Sequence, residues 1–226
     1  LGDVYKRQGL KEEIVKEISQ LPHVASIFMS VNTSKHQEFD ELGYSKLYGA
    51  TRLELHDDKN QYLVSVKSKL PENIEMMWKQ NQTIKSLVQD SQKIISLNCG
   101  IGLLELNLDQ EIVAIDEKRY QIDDAKLNAK YLKKENVTFI AGDLDSKIVT
   151  YAKKKVYDTL IIQNERYGLS DTIKDTINIA KFKTIIYACQ SHSTLAKDLA
   201  DLEKNYKLER IIGLDTSCHN LSLIHI

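Results

Sequence analysis

Beyond residue 74 the chain alternates helical stretches with short strand-like apolar runs, and no other feature restricts its fold as tightly. Apolar runs recur at 93–97, 111–116, 137–143, 159–163, 182–190 and 208–215. Segments with helical spacing separate them at 120–134, 146–154, 170–180 and 193–204, and another spans 74–89 ahead of the first run. Runs this short and this apolar suit strands buried on both faces. Parallel neighbours need a long crossover, usually a helix, so the succession predicts an α/β fold with a doubly wound parallel sheet. Ser170 and Ser193 open two of the helices and are the expected N-caps. In such a sheet a ligand binds beyond the carboxyl ends of the strands, where the strand order reverses.

Residues 9–73 follow a different pattern. Leu10, Ile14, Val15, Ile18 and Leu21 share one helical face, and Pro22 stops that helix. A strand is expected at 24–31. Leu53 and Leu55, then Tyr62, Val64 and Val66, alternate on either side of the polar turn 57–60, which is a hairpin pattern. These residues therefore read as a small α+β module. The two ends, 1–8 (LGDVYKRQ) and 221–226 (LSLIHI), carry no periodicity that joins them to their neighbours and read as foreign tails.

Composition narrows the function. Hydrophobic residues make up 42% of the 226, enough for a core. Charged residues are 28% with a net charge of -1, so any nucleic-acid partner must be held by local patches. Cys99, Cys189 and Cys218 have the spacing of neither a disulfide framework nor a zinc site, which makes a reducing cytoplasm the expected compartment. No apolar run approaches the roughly 20 residues of a membrane-spanning helix, so no membrane partner is expected.

The candidate ligand site starts at Asn98-Cys99-Gly100-Ile101-Gly102, directly after the first strand of the sheet. Glycines there let backbone approach a ligand at the start of a helix. Asp116 ends the second strand, where an acid accepts hydrogen bonds from ribose hydroxyls, and Gly142-Asp143 ends the third, placed to accept from an adenine amino group. Each acid alone reads better as a solvated helix cap; three such features at one sheet edge favour a nucleoside site. A nicotinamide cofactor is the rival, but Glu105 stands where the third glycine of that fingerprint belongs. The short loop suits S-adenosylmethionine (SAM) better.

At this point residues 10–220 resemble the RNA uracil-C5 methyltransferases of tRNA and 23S rRNA. Their cofactor loop, L-D-L-Y-C-G-x-G, is similar to Ile95 through Gly102, and their I-x-G-D to Ile140 through Asp143. Their D-x-x-x-x-D-P-P-R-x-G-L aligns with Asp158 through Leu169, and their Y-V-S-C-N-P-x-T-L-A-R-D-L with Tyr187 through Leu199. Upstream, L-Y-G resembles Leu47-Tyr48-Gly49, and F-x-I-S-P-x-S-F-F-Q-V-N resembles Tyr62 through Asn73. The resemblance implies a class I SAM-methyltransferase Rossmann-like domain over 74–220, truncated before its final antiparallel strand and so left with an open sheet edge. It implies SAM as cofactor, held by Asn98, Gly100, Gly102, Asp116 and Asp143. It implies rRNA or tRNA as partner and a monomer. The reaction it implies begins with a cysteine thiolate adding to uracil C6, which activates C5 toward the methyl group; a base then removes the C5 proton.

The departures fall on that chemistry. The nucleophile position holds Gln190, with Cys189 one residue earlier, and neighbouring strand residues face opposite ways. D-P-P reads Gln163-Asn164-Glu165, which leaves Glu165 as a displaced acid. The cofactor-side glutamine becomes Pro71, the loop tyrosine Asn98, and the acid two residues before it Ser96. Cys218-His219 stand as adjacent residues, which rarely face one another. Lys67, Lys69, Lys153, Lys154, Lys155, Lys181 and Lys183 are candidate phosphate contacts, or simply solvated. Three readings stay open: an enzyme using Cys189 and Glu165 with Gln163 and Gln190 nearby, a non-catalytic relative that keeps SAM or RNA binding, or an N- or O-directed methyltransferase.

Overall fold

The computed structural model describes residues 2–32, 42–164, 167–217 and 220–225. The chain divides into two compact units, Leu1–Ser68 and Lys69–Ile226.

The first unit holds helix α1 (Gly2–Ser19) and strands β1 (Ser26–Ser30), β2 (Tyr44–Gly49), β3 (Arg52–His56) and β4 (Gln61–Ser65). β1 pairs antiparallel with β2, and β3 with β4. The β3–β4 turn is tied by one side chain. Asp57 accepts from the backbone N–H groups of Lys59 (2.7 Å) and Asn60 (2.6 Å) and from the hydroxyl of fully buried Tyr62 (2.7 Å). Three expectations need correction. Residues 2–8 are not a tail beside the helix but its first turns, because nothing in that stretch breaks a helix. The apolar face of α1 is only partly covered: Leu10, Ile14 and Leu21 are exposed. β2 was not anticipated, since its short alternation becomes a strand only through pairing with β1.

The second unit runs α2 (Ile74–Leu87), β5 (Lys93–Leu97), β6 (Glu111–Asp116), α3 (Arg119–Tyr131), β7 (Val137–Ala141), α4 (Leu144–Ala152), β8 (Thr159–Asn164), α5 (Asp171–Ala180), β9 (Thr184–Cys189), α6 (His192–Leu202), β10 (Ile211–Ser217) and β11 (Asn220–His225). Its strands form one sheet in the order β7-β6-β5-β8-β9-β11-β10. The five from β5 to β9 are parallel; β11 is antiparallel to β9 and β10 to β11. The predicted α/β doubly wound sheet is therefore present, and its order reverses between β5 and β8. Ile94, Ile95, Leu97, Ile112, Ile115, Leu160 and Ile162 are almost wholly shielded, as strands covered on both faces require. Side-chain caps start four helices: Asn73 accepts from Met76 N–H, Asp143 from Ser146, Ser170 from Ile173 and Ser191 from Thr194. Ser170 is the cap expected. Ser193 is not, because α6 already begins at His192 and Ser191 has the extended backbone a cap needs. No helix among the described residues is long and apolar enough to cross a membrane.

The sheet does not lack its final antiparallel strand. Residues 220–225 fill that place as β11, pairing Leu223 with Cys189, Ile224 with Ala188 and His225 with Tyr187. Backbone hydrogen bonds make a ladder, so an extended, apolar-rich segment completes an open edge without a dedicated sequence pattern. A chain ending at Ser217 is expected to leave the β9 edge unpaired and to self-associate at concentrations where the full chain stays dispersed. Light scattering of the two chains side by side checks this; equal dispersity removes the role assigned to β11.

Candidate functional site

The residues singled out in the sequence gather at the carboxyl edge of the sheet because each lies at, or just past, the end of a strand. β5 ends at Leu97, and the loop after it carries positive φ at Asn98 (57°), Gly100 (54°) and Gly102 (77°). Gly102 is sterically required: an added Cβ would lie 2.5 Å from the Phe139 ring. At Gly100 an added Cβ would meet no atom within 4 Å, so the space over that residue is open.

Asp116, at the end of β6, holds this loop. Its Oδ2 accepts from Gly100 N–H at 2.9 Å and its Oδ1 from Lys118 N–H at 2.8 Å. Burial raises its pKa, against the pull of those two backbone bonds. Each oxygen keeps a further lone pair. Asp143, after β7, is exposed and caps α4 through Oδ2, accepting from Ser146 N–H at 2.8 Å.

Two polar networks flank the β5–β8 junction. In the first, Glu105, in a 3-10 turn at 105–107, is fully shielded. Its Oε1 accepts from Ser96 Oγ at 2.6 Å and from Gln163 Nε2 at 3.0 Å; its Oε2 has no partner among the described residues. Burial pushes this carboxyl up to about 7; the Asp116 charge adds to that, and the bonds from Ser96 and Gln163 oppose it. Burial likewise raises the neighbouring Cys99 thiol, helped by the charges of Glu105 and Asp116. In the second network Asn98 donates to Asn164 Oδ1, Asn164 donates to Tyr167 O at 3.0 Å, and Tyr187 OH donates to Asp198 Oδ2 at 2.7 Å. The same Asp198 oxygen accepts from Leu169 N–H at 2.9 Å. Asp198, 4% exposed, thus moors the segment after β8 to β9 and α6. Burial raises the Tyr187 hydroxyl strongly, and its bond to Asp198 adds to the shift.

The candidate nucleophile stands apart from the first network. The β8–β9 ladder pairs Gln163 with Ala188 and Asn164 with Cys189. Paired residues share a face, so Cys189 lies on the Asn164 face and not on that of Gln163. It is 4% exposed and packs in the core with Leu97, Ile162, Leu169 and Leu195, and its Sγ lies 3.4 Å from both Ser191 N and Ser191 O. Gln190 is exposed at the strand end. Glu165 and the Cys218-His219 pair lie outside the described residues. Lys153, Lys154, Lys155, Lys181 and Lys183 precede β8 and β9, so they sit at the amino edge of the sheet, opposite the loop. Lys67 lies over the Tyr44 ring in the first unit, and Lys69 is exposed. Sequence reasoning missed Glu105 as a site residue; it appeared only as a non-glycine. The signal was an acid inside an otherwise apolar run, Leu103-Leu104-Glu105-Leu106.

No family model matches the chain. It is 29% identical over 213 residues to an uncharacterized RNA methyltransferase of Halalkalibacterium halodurans, covering 91% of the chain and 46% of that protein. It is 27% identical over 214 residues to an uncharacterized RNA methyltransferase of Enterococcus faecalis, with the same coverage of 91% and 46%. The chain thus spans about half the length of the curated relatives it matches. In fold it resembles the Pyrococcus abyssi tRNA (uracil-54, C5)-methyltransferase, solved with S-adenosyl-L-homocysteine. The TM-score is 0.76 at 22% identity, over 89% of this chain and 50% of that one. The SAM-dependent methyltransferase from Agrobacterium tumefaciens gives a TM-score of 0.63 at 12% identity, over 93% and 78%. The class I methyltransferase fold and the resemblance to RNA methyltransferases both stand.

Glu105 sets a pH dependence with a definite sign. Its folded pKa lies above the unfolded value, so the folded chain holds the proton more tightly. Stability from this group is complete below about pH 4.5 and is lost as pH rises through about 7. At pH 8 the buried charge costs on the order of 3 kcal/mol. Glu105→Gln keeps an acceptor for Ser96 and Gln163 and never ionises. It is expected to raise stability at pH 8 by up to about that amount and to match the parent at pH 4.5. Urea unfolding at the two pH values checks this; an equal effect at both removes the assignment.

Proposed function

Starting from its homology to RNA methyltransferases, we propose that this chain belongs to a SAM-binding, RNA-directed protein of the uracil-C5 methyltransferase type. Its substrate class is rRNA or tRNA, its setting the cytoplasm, and its working form a monomer. Its cofactor half is kept and its pyrimidine half is altered, so that Cys189 does not serve as nucleophile. The observation that carries this is the contrast between strand ends. At the ends of β5 and β6 an ordered loop with open space over Gly100 is held by a buried acid. At the end of β9 the Cys189 thiol is buried in the core.

The residues present fit SAM on two structural grounds: a glycine cradle that a side chain would fill, and a buried carboxyl oxygen with no partner, Glu105 Oε2. Bound SAM supplies an electrophilic methyl group. Asp116 accepts the ribose hydroxyls with the lone pairs left over from its backbone bonds. Gly100 and Gly102 admit the ligand to the loop backbone, and Asp143 faces the adenine end. Asn98, Gln163 and Asn164 line the end where the methyl group and the base meet. Gln163 presents an amide where the family has an acid, so it positions without carrying charge. RNA as the partner is supported by the names of the relatives, which are RNA methyltransferases.

Calorimetric titration of the chain with SAM tests the cofactor half. Binding tighter than about 100 μM is expected, with at least a tenfold loss in Asp116→Ala. No binding at millimolar SAM sinks the proposal. Transfer of labelled methyl groups to bulk rRNA and tRNA tests the other half. Transfer that is absent, or unchanged in Cys189→Ser, is expected. Transfer abolished by Cys189→Ser would replace this reading with an active enzyme whose nucleophile is Cys189.

A further inference from the structure

Three buried side-chain oxygens among the described residues have no partner: Glu105 Oε2, Gln121 Oε1 and Asp158 Oδ1. Gln121 carries an uncharged amide. Asp158 precedes β8 at the amino edge of the sheet, where its other oxygen accepts from Gln92 N–H. Glu105 alone is an acid next to the ligand loop. Leaving a buried carboxyl oxygen unpaired costs stability, and ionising it costs more. Such a group persists where a ligand completes it.

Its place along the sheet says which part of a ligand that is. The carboxyl edge presents, in strand order, Asp143 after β7, Asp116 after β6, the glycine loop after β5, and Gln163 at the end of β8. Glu105 bridges the last two, bonded to Ser96 of β5 and Gln163 of β8. A nucleoside with its adenine near β7 and its ribose on Asp116 therefore extends its other end over the β5–β8 junction, one and a half strand spacings or roughly 7 Å from β6. In SAM that end is an α-amino acid with one ammonium. Oε1 is already engaged by two donors, and Oε2 is the oxygen left to accept.

We infer that Glu105 receives the α-ammonium group of the cofactor, taking over for an acid that the loop lacks at Ser96. The inference rests on the SAM reading and extends it. A carboxylate–ammonium bond is charge-assisted, and in a shielded site it is about twice as strong as a neutral one. Ser96 and Gln163 act as positioning residues: their bonds to Oε1 fix the carboxyl and leave Oε2, shielded from solvent, as the oxygen with an acceptor position to fill. The retained acid also gives a reason for the stability cost worked out for it above.

Two ligands that share an adenosine separate the possibilities: S-adenosylhomocysteine, which keeps the amino acid, and 5′-methylthioadenosine, which lacks it. Calorimetry at pH 8 is expected to show Glu105→Gln weakening S-adenosylhomocysteine at least tenfold. The same variant should leave 5′-methylthioadenosine within about twofold. A second measurement does not depend on the variant. At pH 6.5, in buffers of different ionisation enthalpy, the parent chain is expected to release a proton on binding S-adenosylhomocysteine and none with 5′-methylthioadenosine. The other titratable groups near Glu105 are Asp116 and Cys99, and both ligands carry the ribose that meets Asp116. Equal losses for the two ligands, or no loss for either, overturn the role of Glu105 while the cofactor site stands. Failure of the parent chain to bind either ligand overturns the cofactor reading and this inference with it.

Discussion

The central strands of the sheet are buried on both faces, and the rest of the site follows from that constraint. Ile94, Ile95, Leu97, Ile112, Ile115, Leu160 and Ile162 leave water nothing to reach between the helix layers. Every polar side chain on these strands or at their ends must then find a partner within the protein or point out past the carboxyl edge. Ser96 is fully buried in the middle of β5 and is satisfied by Glu105. Asp116 is met by two backbone N–H groups. The site is thus a set of polar groups that the hydrophobic sheet drives to one edge and that mutual bonds hold in place.

Those bonds sort into two networks with different work. Asn98, Asn164, Tyr187 and Asp198 connect the loop after β5, the end of β8, β9 and α6. Apart from the side-chain pair Asn98–Asn164 they bond chiefly to backbone or to one another's hydroxyls, so they fix the course of the chain. Glu105, Ser96 and Gln163 connect only β5 and β8, and they leave one carboxyl oxygen unpaired. A scaffold network should close on itself, because each open valence costs free energy. The Asp198 network does so, and the Glu105 network does not.

Much of this was legible in the sequence. The strands β5 and β6 and the start of α2 fall where the apolar spacing puts them, because buried parallel strands are written as continuous apolar runs. Asp116 was visible as an acid at a strand end, and Ser170 as a cap. Other features were written less locally. β2 and β11 are short segments that become strands by borrowing a neighbour's open edge, which no pattern within 44–49 or 220–225 announces. Glu105 was hidden for the opposite reason: an acid inside an apolar run looks like an interruption of the core. Only folding brings Ser96 and Gln163, 9 and 58 residues away in sequence, onto its oxygen.

The distribution of what is kept and what is changed follows the faces of the strands. A strand end offers two directions, and a one-residue offset between Cys189 and Gln190 exchanges them. With β8 and β9 in unbroken register, the thiol takes the inward direction, filled by Leu97, Ile162, Leu169 and Leu195. The outward direction at the end of β9 belongs to an exposed amide. Bringing the thiol out would mean bulging β9, which would also shift Tyr187 from Asp198 and release the segment after β8 that Asp198 moors. The Asp198 network therefore keeps the thiol inside, while the Glu105 network leaves one carboxyl oxygen unpaired. The physical asymmetry of this edge, a buried thiol at the end of β9 against an open loop at the end of β5, follows from which of two neighbouring residues is the cysteine.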